Sequence, residues 1–255
     1  MAKKYYVVWA GRKPGIYTDW NSCKAQVDKF AGAKYKSFPT QAEAEQAFGG
    51  KTTQPTSKTQ SSVKKKPAVN GIKTYTAAEI DTMDLEVKIF TDGGCDPNPG
   101  QAGSGMAVYR NNQIAELWYG LYNPMGTNNT AELNALHQAL MMAKTETEKG
   151  RSVVIFCDSK YSIQCVTQWA IGWEKKGWKK SGGEIKNLEL IQAMFKLHQT
   201  LKGKIQVLHV NGHVGVEGNE LADRMSMVAI AEKETAFARY PEPIEVAEIL
   251  KMQAG

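Results

Sequence analysis

The sequence predicts an α/β protein, a five-stranded mixed sheet flanked by helices, preceded by a small α+β module. Three observations carry that expectation. Three strand-like runs come in succession and then alternate with helical periodicity. A stretch from Gly49 to about Lys73 loses apolar periodicity altogether, and the short segment ahead of it has strand and helix signals of its own. The 255 residues leave room for one large domain or two ordinary ones.

In residues 1–48, Tyr5 to Trp9 reads as a strand, and Gly11 and Pro14-Gly15 read as turns. Asn21 to Phe30 follows as a helix with Cys23, Val27 and Phe30 on one face. Thr40 with Glu43 three residues on has the pattern of a capping box leading into a second helix through Ala44 and Ala47-Phe48. So small a module buries only a thin core, which makes its surplus aromatics candidates for a surface role. Residues 49–84 read as a flexible basic linker and lead-in. The Gly49 to Lys73 part is rich in Thr, Gln, Ser, Pro and Lys, has no acidic residue, and sets Lys64, Lys65 and Lys66 side by side.

Residues 85–231 form the large domain. Val87 to Asp92 is the first strand; Gly105 to Tyr109 and Ile114 to Leu121 are the second and third, with Asn111-Asn112 in a hairpin position. Leu133, Leu136, Leu140 and Met141 then recur at helical spacing behind Asn128-Asn129, residues suited to starting a helix. Val153-Val154-Ile155-Phe156 marks a fourth strand running to Asp158. Further helices, a fifth strand from Ile205 to Val210 and a closing helix from Asn219 to Ala231 complete the domain. Residues 232–255 are an extension of unknown role, with helical character between Ile244 and Met252.

Net charge and cysteine usage narrow the function classes. With 32 Lys+Arg against 26 Asp+Glu the net charge is +6, which favours a polyanionic partner. Cys23, Cys95, Cys157 and Cys165 form no C-x-x-C pair, so neither a disulfide framework nor a zinc ribbon is expected. No run is long and apolar enough for a signal peptide or a bilayer span, and a cytoplasmic setting with no membrane is the expectation.

Asp92 and Asp158 end the first and fourth strands. If those strands are parallel neighbours, both carboxylates reach one edge of the sheet, where α/β folds place their sites. Each also has an ordinary reading, since Asp at a strand end is common turn chemistry. Glu132 reads either as a ligand or as a capping-box partner of Asn129, and Asp223 as a ligand or as a group favoured near a helix N-terminus. His137, His198 and His209 read as structural.

Five blocks tie these residues together. They are Thr91-Asp92-Gly93-Gly94, Asn98-Pro99-Gly100, Asn128-Asn129-Thr130-Ala131-Glu132-Leu133, Cys157-Asp158-Ser159-Lys160-Tyr161, and Gly212-His213 with Gly218-Asn219-Glu220-Leu221-Ala222-Asp223. In order and spacing they resemble the RNase H1 family over the span from Glu86 to Ala231. The resemblance implies an RNase H-like fold and an endonuclease that hydrolyses the RNA strand of an RNA–DNA hybrid, leaving 5′-phosphate and 3′-hydroxyl ends. It implies that Asp92, Glu132, Asp158 and Asp223 hold two Mg2+ ions, with Mn2+ able to substitute, and that His213 aids proton transfer or product release. Clustered acids without metal should have raised pKa values.

The resemblance also assigns Gly93, Cys95, Asn98, Asn128 and Asn129 to the RNA strand. The run Trp169-Ala-Ile-Gly-Trp173-Glu-Lys175-Lys176-Gly-Trp178-Lys179-Lys180 looks like the family's basic protrusion, its lysines free to meet phosphates and its tryptophans anchored in the core. Tyr5-Tyr6-Val7-Val8, Gly11-Arg12-Lys13-Pro14-Gly15, Thr18-Asp19-Trp20 and Lys34-Tyr35-Lys36-Ser37-Phe38 are similar to the family's hybrid-binding domain. There Trp20 and Tyr35 match aromatics facing the DNA strand, Lys36 matches a phosphate contact, and Arg12 and Lys13 belong to the same binding module. Ser37 and Trp9-Ala10 depart from basic residues common in that domain. The implied partner is an RNA–DNA hybrid, and no protein partner is implied.

Overall fold

A computed structural model describes residues 4–28, 30, 33–38, 40–41, 44–45, 48, 72–212 and 215–255. The chain divides into two compact units, Met1–Ala68 and Val69–Gly255. The expected linker between Gly49 and Gly71, and Glu43 of the expected capping box, lie outside the described residues.

In the first unit an antiparallel sheet of order β2-β1-β3 is built from β1 (Tyr5–Ala10), β2 (Gly15–Tyr17) and β3 (Lys34–Phe38). Helix α1 (Trp20–Val27) starts on Asp19, whose side chain accepts a hydrogen bond from the Ser22 amide, and it stops three residues short of Phe30. Its core is thin, as so short a segment requires: Val8, Cys23 and Val27, with Tyr6, Tyr17 and Ala33 packed around them.

The second unit holds a seven-stranded sheet of order β10-β7-β6-β5-β8-β9-β4. Its five central strands, β5 (Val87–Asp96), β6 (Gly100–Arg110), β7 (Gln113–Gly126), β8 (Val153–Cys157) and β9 (Ile205–Val210), correspond to the five expected from the sequence. Two short edge strands extend it, β4 (Thr74–Tyr75) along β9 and β10 (Phe237–Arg239) along β7. Neither is long enough to show a period of its own; each exists because a partner strand offers it a hydrogen-bonding edge. Asn111 and Asn112 both have positive φ, 50° and 62°, and pairing resumes at Arg110 with Gln113, so this is a two-residue hairpin of the type I′ kind.

The helices are α2 (Ala77–Asp81), α3 (Asn128–Glu148), α4 (Lys160–Gln164), a π-helical turn (Cys165–Trp169), α5 (Ala170–Lys175), α6 (Leu188–Leu201), α7 (Glu217–Glu232) and α8 (Val246–Ile249). Both sheet faces are buried, so strand residues alternate between two cores. Val87, Ile89, Val153 and Ile155 join Leu133, Leu136 and Leu140 of α3 in one layer. Phe90, Val154 and Phe156 join Leu221, Ala222 and Met225 of α7 in the other. Met141, expected on the apolar face of α3, is instead 39% exposed, because it sits one residue past the Leu133-Leu136-Leu140 stripe. Helix α7 lies almost on the sheet backbone. A Cβ at Gly105 would stand 2.0 Å from the Ala222 carbonyl oxygen.

Candidate active site

Strands β5 and β8 run parallel, and their last paired residues are Thr91 and Cys157. The next residue on each is an aspartate, so Asp92 and Asp158 stand side by side at the carboxyl edge of the sheet. By strand alternation Asp92 shares the face of Phe90, towards α7, where Asp223 is 2% exposed on the first turns of that helix. The Asp223 carboxyl lies close enough to Asp92 to raise its pKa. Glu132 comes from α3 on the other layer and reaches the same edge where Gly93 leaves room for it. One carboxylate oxygen each of Glu132 and Asp158 and the Cys157 sulfur lie within 4.8 Å of one another. Asp92, Glu132, Asp158 and Asp223 together line one cleft, beside Gly93, Cys95 and Asn128.

The cap of α3 differs from expectation. Thr127 holds the N-cap position, its hydroxyl accepting from the Thr130 amide at 3.2 Å, so Asn128 and Asn129 already lie inside the helix. A threonine in extended backbone with a free amide three residues on makes that cap, and Asn129 has no such geometry. Glu132 is therefore too deep in the helix to serve as a capping partner, and it is 5% exposed. Its Oε2 is buried and has no hydrogen-bond partner among the described residues.

Burial pushes the Asp92 carboxyl well above the usual carboxylate range, and the neighbouring charges of Asp158 and Asp223 push it further. Glu132 moves the same way, first from burial and then from Asp92 and Asp158. For these two the direction is the one expected of clustered acids. A set of buried oxygen donors, one of them unsatisfied and two of them costly to ionise alone, fits a hard divalent cation.

Several residues given no site role from the sequence hold the acids in place, His209 among them in the structural role expected of it. Asn219, 2% exposed, points its amide nitrogen at Asp158 Oδ2, 3.5 Å away. It stands four residues before Asp223 on α7, a spacing that puts both on one face and was the available signal. His209 Nε2–H donates to the Asp158 carbonyl oxygen at 3.1 Å, which leaves Nδ1 to accept from the Thr74 hydroxyl at 2.8 Å. Burial lowers the His209 pKa, keeping the ring neutral as that tautomer requires. Arg224 pairs with Asp223 Oδ2 and with Glu220, and no periodicity marks it. Ser226 donates its hydroxyl proton to the Asp223 carbonyl oxygen at 2.8 Å.

His213 lies outside the described residues; its neighbour Gly212 passes so near that a Cβ there would stand 2.8 Å from Asp158 Oδ2. Around the cleft, the Asn128 amide donates to Asn98 Oδ1 at 3.3 Å, the Cys95 thiol donates to the Pro97 carbonyl at 3.3 Å, and Asn129 is exposed. Lys175, Lys176, Lys179 and Lys180 are all exposed. Trp173 and Trp178 pack against the core, Trp178 edge-on to Phe195 at 5.9 Å. Trp169 departs from the expected anchoring role. It is 37% exposed and rests on Tyr161 and Trp173, because the π-helical turn shifts it out of register with the core-facing stripe.

In the first unit, Trp20 (42% exposed) lies between Tyr6 at 5.6 Å and Tyr35 (47% exposed) at 5.9 Å, an exposed aromatic cluster. Lys36 falls on the other face of β3, its Nζ 5.8 Å from the Phe38 ring. Lys13 is exposed, and Arg12 spends two hydrogen bonds inside the module, Nη1 donating to Ala25 O at 3.1 Å and Asp28 O at 2.7 Å.

Residues 84–231 match the RNase H family model and residues 4–48 the ribonuclease H1 N-terminal domain. Ribonuclease H1 of Homo sapiens is 30% identical over 90% of this chain and 90% of its own length, and that of Mus musculus is 31% identical over the same shares. A ribonuclease H of Pseudomonas putida (strain F1) is 37% identical over 59% of this chain and 97% of its own length. Among solved structures, LC9-RNase H1, described as a type 1 RNase H with the type 2 active-site motif, superposes with a TM-score of 0.51 at 23% identity, covering 72% of this chain and 84% of that one. At that identity the likeness establishes the fold. No described helix is long and apolar enough to cross a membrane. With an acid-lined cleft at the sheet edge, both domain matches in sequence order and relatives alike along nine-tenths of its length, the chain belongs to the ribonuclease H1 family, endoribonucleases that cleave RNA in RNA–DNA hybrids.

Proposed function

We propose that this chain hydrolyses the RNA strand of RNA–DNA hybrids by two-metal-ion catalysis with Mg2+, leaving 5′-phosphate and 3′-hydroxyl ends. The observation that carries the reading is the cleft lined by Asp92, Glu132, Asp158 and Asp223, with a buried Glu132 oxygen that has no hydrogen-bond partner among the described residues. These four side chains would hold the ions. Divalent cations bound among carboxylates activate the attacking water and offset charge on the leaving oxygen.

The chain's own groups do the positioning. Asn219 and His209 fix Asp158 from its side chain and its backbone, so that its carboxylate does not swing away. His213, the residue after Gly212 in sequence, carries a proton to or from the reacting phosphate or helps the product leave. Gly93, Cys95, Asn98, Asn128 and Asn129 follow the RNA strand, where the 2′-hydroxyl distinguishes ribose from deoxyribose. Lys175, Lys176, Lys179 and Lys180 meet phosphates of the DNA strand, supplying affinity without sequence preference. The first unit binds the hybrid through Trp20, Tyr35 and Lys13 and raises its local concentration for the second.

The test is cleavage of an RNA–DNA hybrid, duplex RNA and duplex DNA, each with Mg2+, with Mn2+ and with a chelator, followed by end-group analysis. Cutting confined to the RNA of the hybrid, dependent on metal and leaving 5′-phosphates, supports the proposal. Metal-independent cutting, or 3′-phosphate ends, overturns it.

A further inference from the structure

Beyond the last sheet strand the chain returns to the cleft. β10 pairs with β7, and α8 then packs into the α7-side core with Ile249 1% exposed. A few residues further, Gln253, Ala254 and Gly255 line the same cleft as the four acids. The Gly255 amide donates a hydrogen bond to Asp223 Oδ1 at 3.0 Å. The close approach suits glycine, since a Cβ there would stand 2.8 Å from that oxygen.

Asp223 is consequently engaged at both oxygens, Oδ2 by Arg224 and Oδ1 by the Gly255 amide. Each carboxylate oxygen has two lone pairs, so accepting one N–H at Oδ1 weakens metal binding there without forbidding it. An N–H group aimed at an oxygen and a cation seeking that oxygen carry charge of the same sign, so the two compete. Arg224 is anchored a second time on Glu220 and belongs to α7 itself, whereas the strap reaches Asp223 through one backbone amide. The amide is the partner that yields.

We propose that residues 253–255 form a displaceable strap that competes with the metal ion for Asp223, so that metal binds more tightly once the strap lifts. The inference rests on the metal-holding role of Asp223 proposed above. It makes the strap a brake set by metal concentration, strongest when divalent cation is scarce.

The experiment is titration of Mn2+ into the full chain without nucleic acid, read by electron paramagnetic resonance of the free ion. Three proteins are compared: the natural chain, a chain ending at Met252, and Gly255→Pro, which retains the strap's residues but removes the N–H donor and puts ring carbons against Asp223 Oδ1. Both variants are expected to bind Mn2+ more tightly, by roughly tenfold, the weight of one charge-assisted hydrogen bond. Their cleavage rates at saturating Mn2+ should equal that of the natural chain. Equal Mn2+ affinity in all three overturns the strap. So does a gain on truncation that Gly255→Pro does not share, because the competition is assigned to the amide. If none of the three binds Mn2+, the metal reading fails and the strap fails with it.

Discussion

Gly93 and Glu132 are in contact through backbone: a methyl group built on Gly93 would fall 2.2 Å from the Glu132 amide nitrogen. The first turns of α3 therefore rest on the end of β5, and this is how an acid from one helical layer meets acids carried on the sheet and on the opposite layer. Gly93→Ala must push that turn away. The expected result is a stability loss of about 1–3 kcal/mol from overpacking, with cleavage reduced at least about tenfold as Glu132 leaves its place. Urea unfolding and hybrid cleavage on the same preparation check it; full activity would mean that α3 can move without cost to the site.

Asp92→Asn separates catalysis from stability. Cleavage should vanish while hybrid binding stays close to that of the natural chain. Without metal the variant should also be more stable at neutral pH. A buried acid whose folded pKa is raised ionises more readily in the unfolded chain, so metal-free stability falls as pH rises from roughly pH 4 towards the elevated folded value. Removing the charge removes that loss, with Tm rising by roughly 2–4 °C per kcal/mol relieved. Thermal unfolding in chelator at pH 5 and pH 8 checks the sign. A natural chain that gained stability over that interval, by an amount the variant lacked, would contradict the clustering.

Glu146, 1% exposed, accepts from Arg110 at 3.1 Å, Lys149 at 3.3 Å and Arg151 at 2.5 Å, at the far end of α3 from the cleft. Glu146→Ala leaves three cations without their shared partner. Because Lys149 and Arg151 are half-exposed and water can take them up, the expected loss is below that of a fully buried pair, about 2–3 kcal/mol. Cleavage by the folded variant at low temperature should be unchanged. Denaturant titration measures the first expectation and initial rates the second.

Trp20→Ala removes the middle ring of the Tyr6-Trp20-Tyr35 cluster, which is exposed and contributes little to its module's core. Hybrid affinity should fall by about 1–3 kcal/mol, the range for one lost stacking contact. The rate on saturating hybrid should hold. Filter binding and single-turnover cleavage test the two halves, and a collapse of the saturated rate would show that the first unit takes part in the chemistry.

Much of the fold was legible in the sequence because its strands and helices carry their own periodicity. Five strands, the hairpin at Asn111-Asn112 and the long helix behind Asn128 follow from which residues face inward, a property local to each segment. The four candidate acids were also nameable from the sequence, Asp92 and Asp158 from expected strand ends and Glu132 and Asp223 from their blocks; the structure lines one cleft with all four, although β5 runs on past Asp92 to Asp96. What the sequence could not show were relations across space. Thr127 rather than an asparagine caps α3; His209 and Asn219 brace Asp158 from a neighbouring strand and a facing helix; residues 253–255 come back to Asp223 from 32 positions away. Local pattern determines which face of an element is buried. Only the packed tertiary structure decides which partner's atoms arrive opposite it, because hydrogen bonds and charges act over ångströms and are indifferent to the length of chain between them.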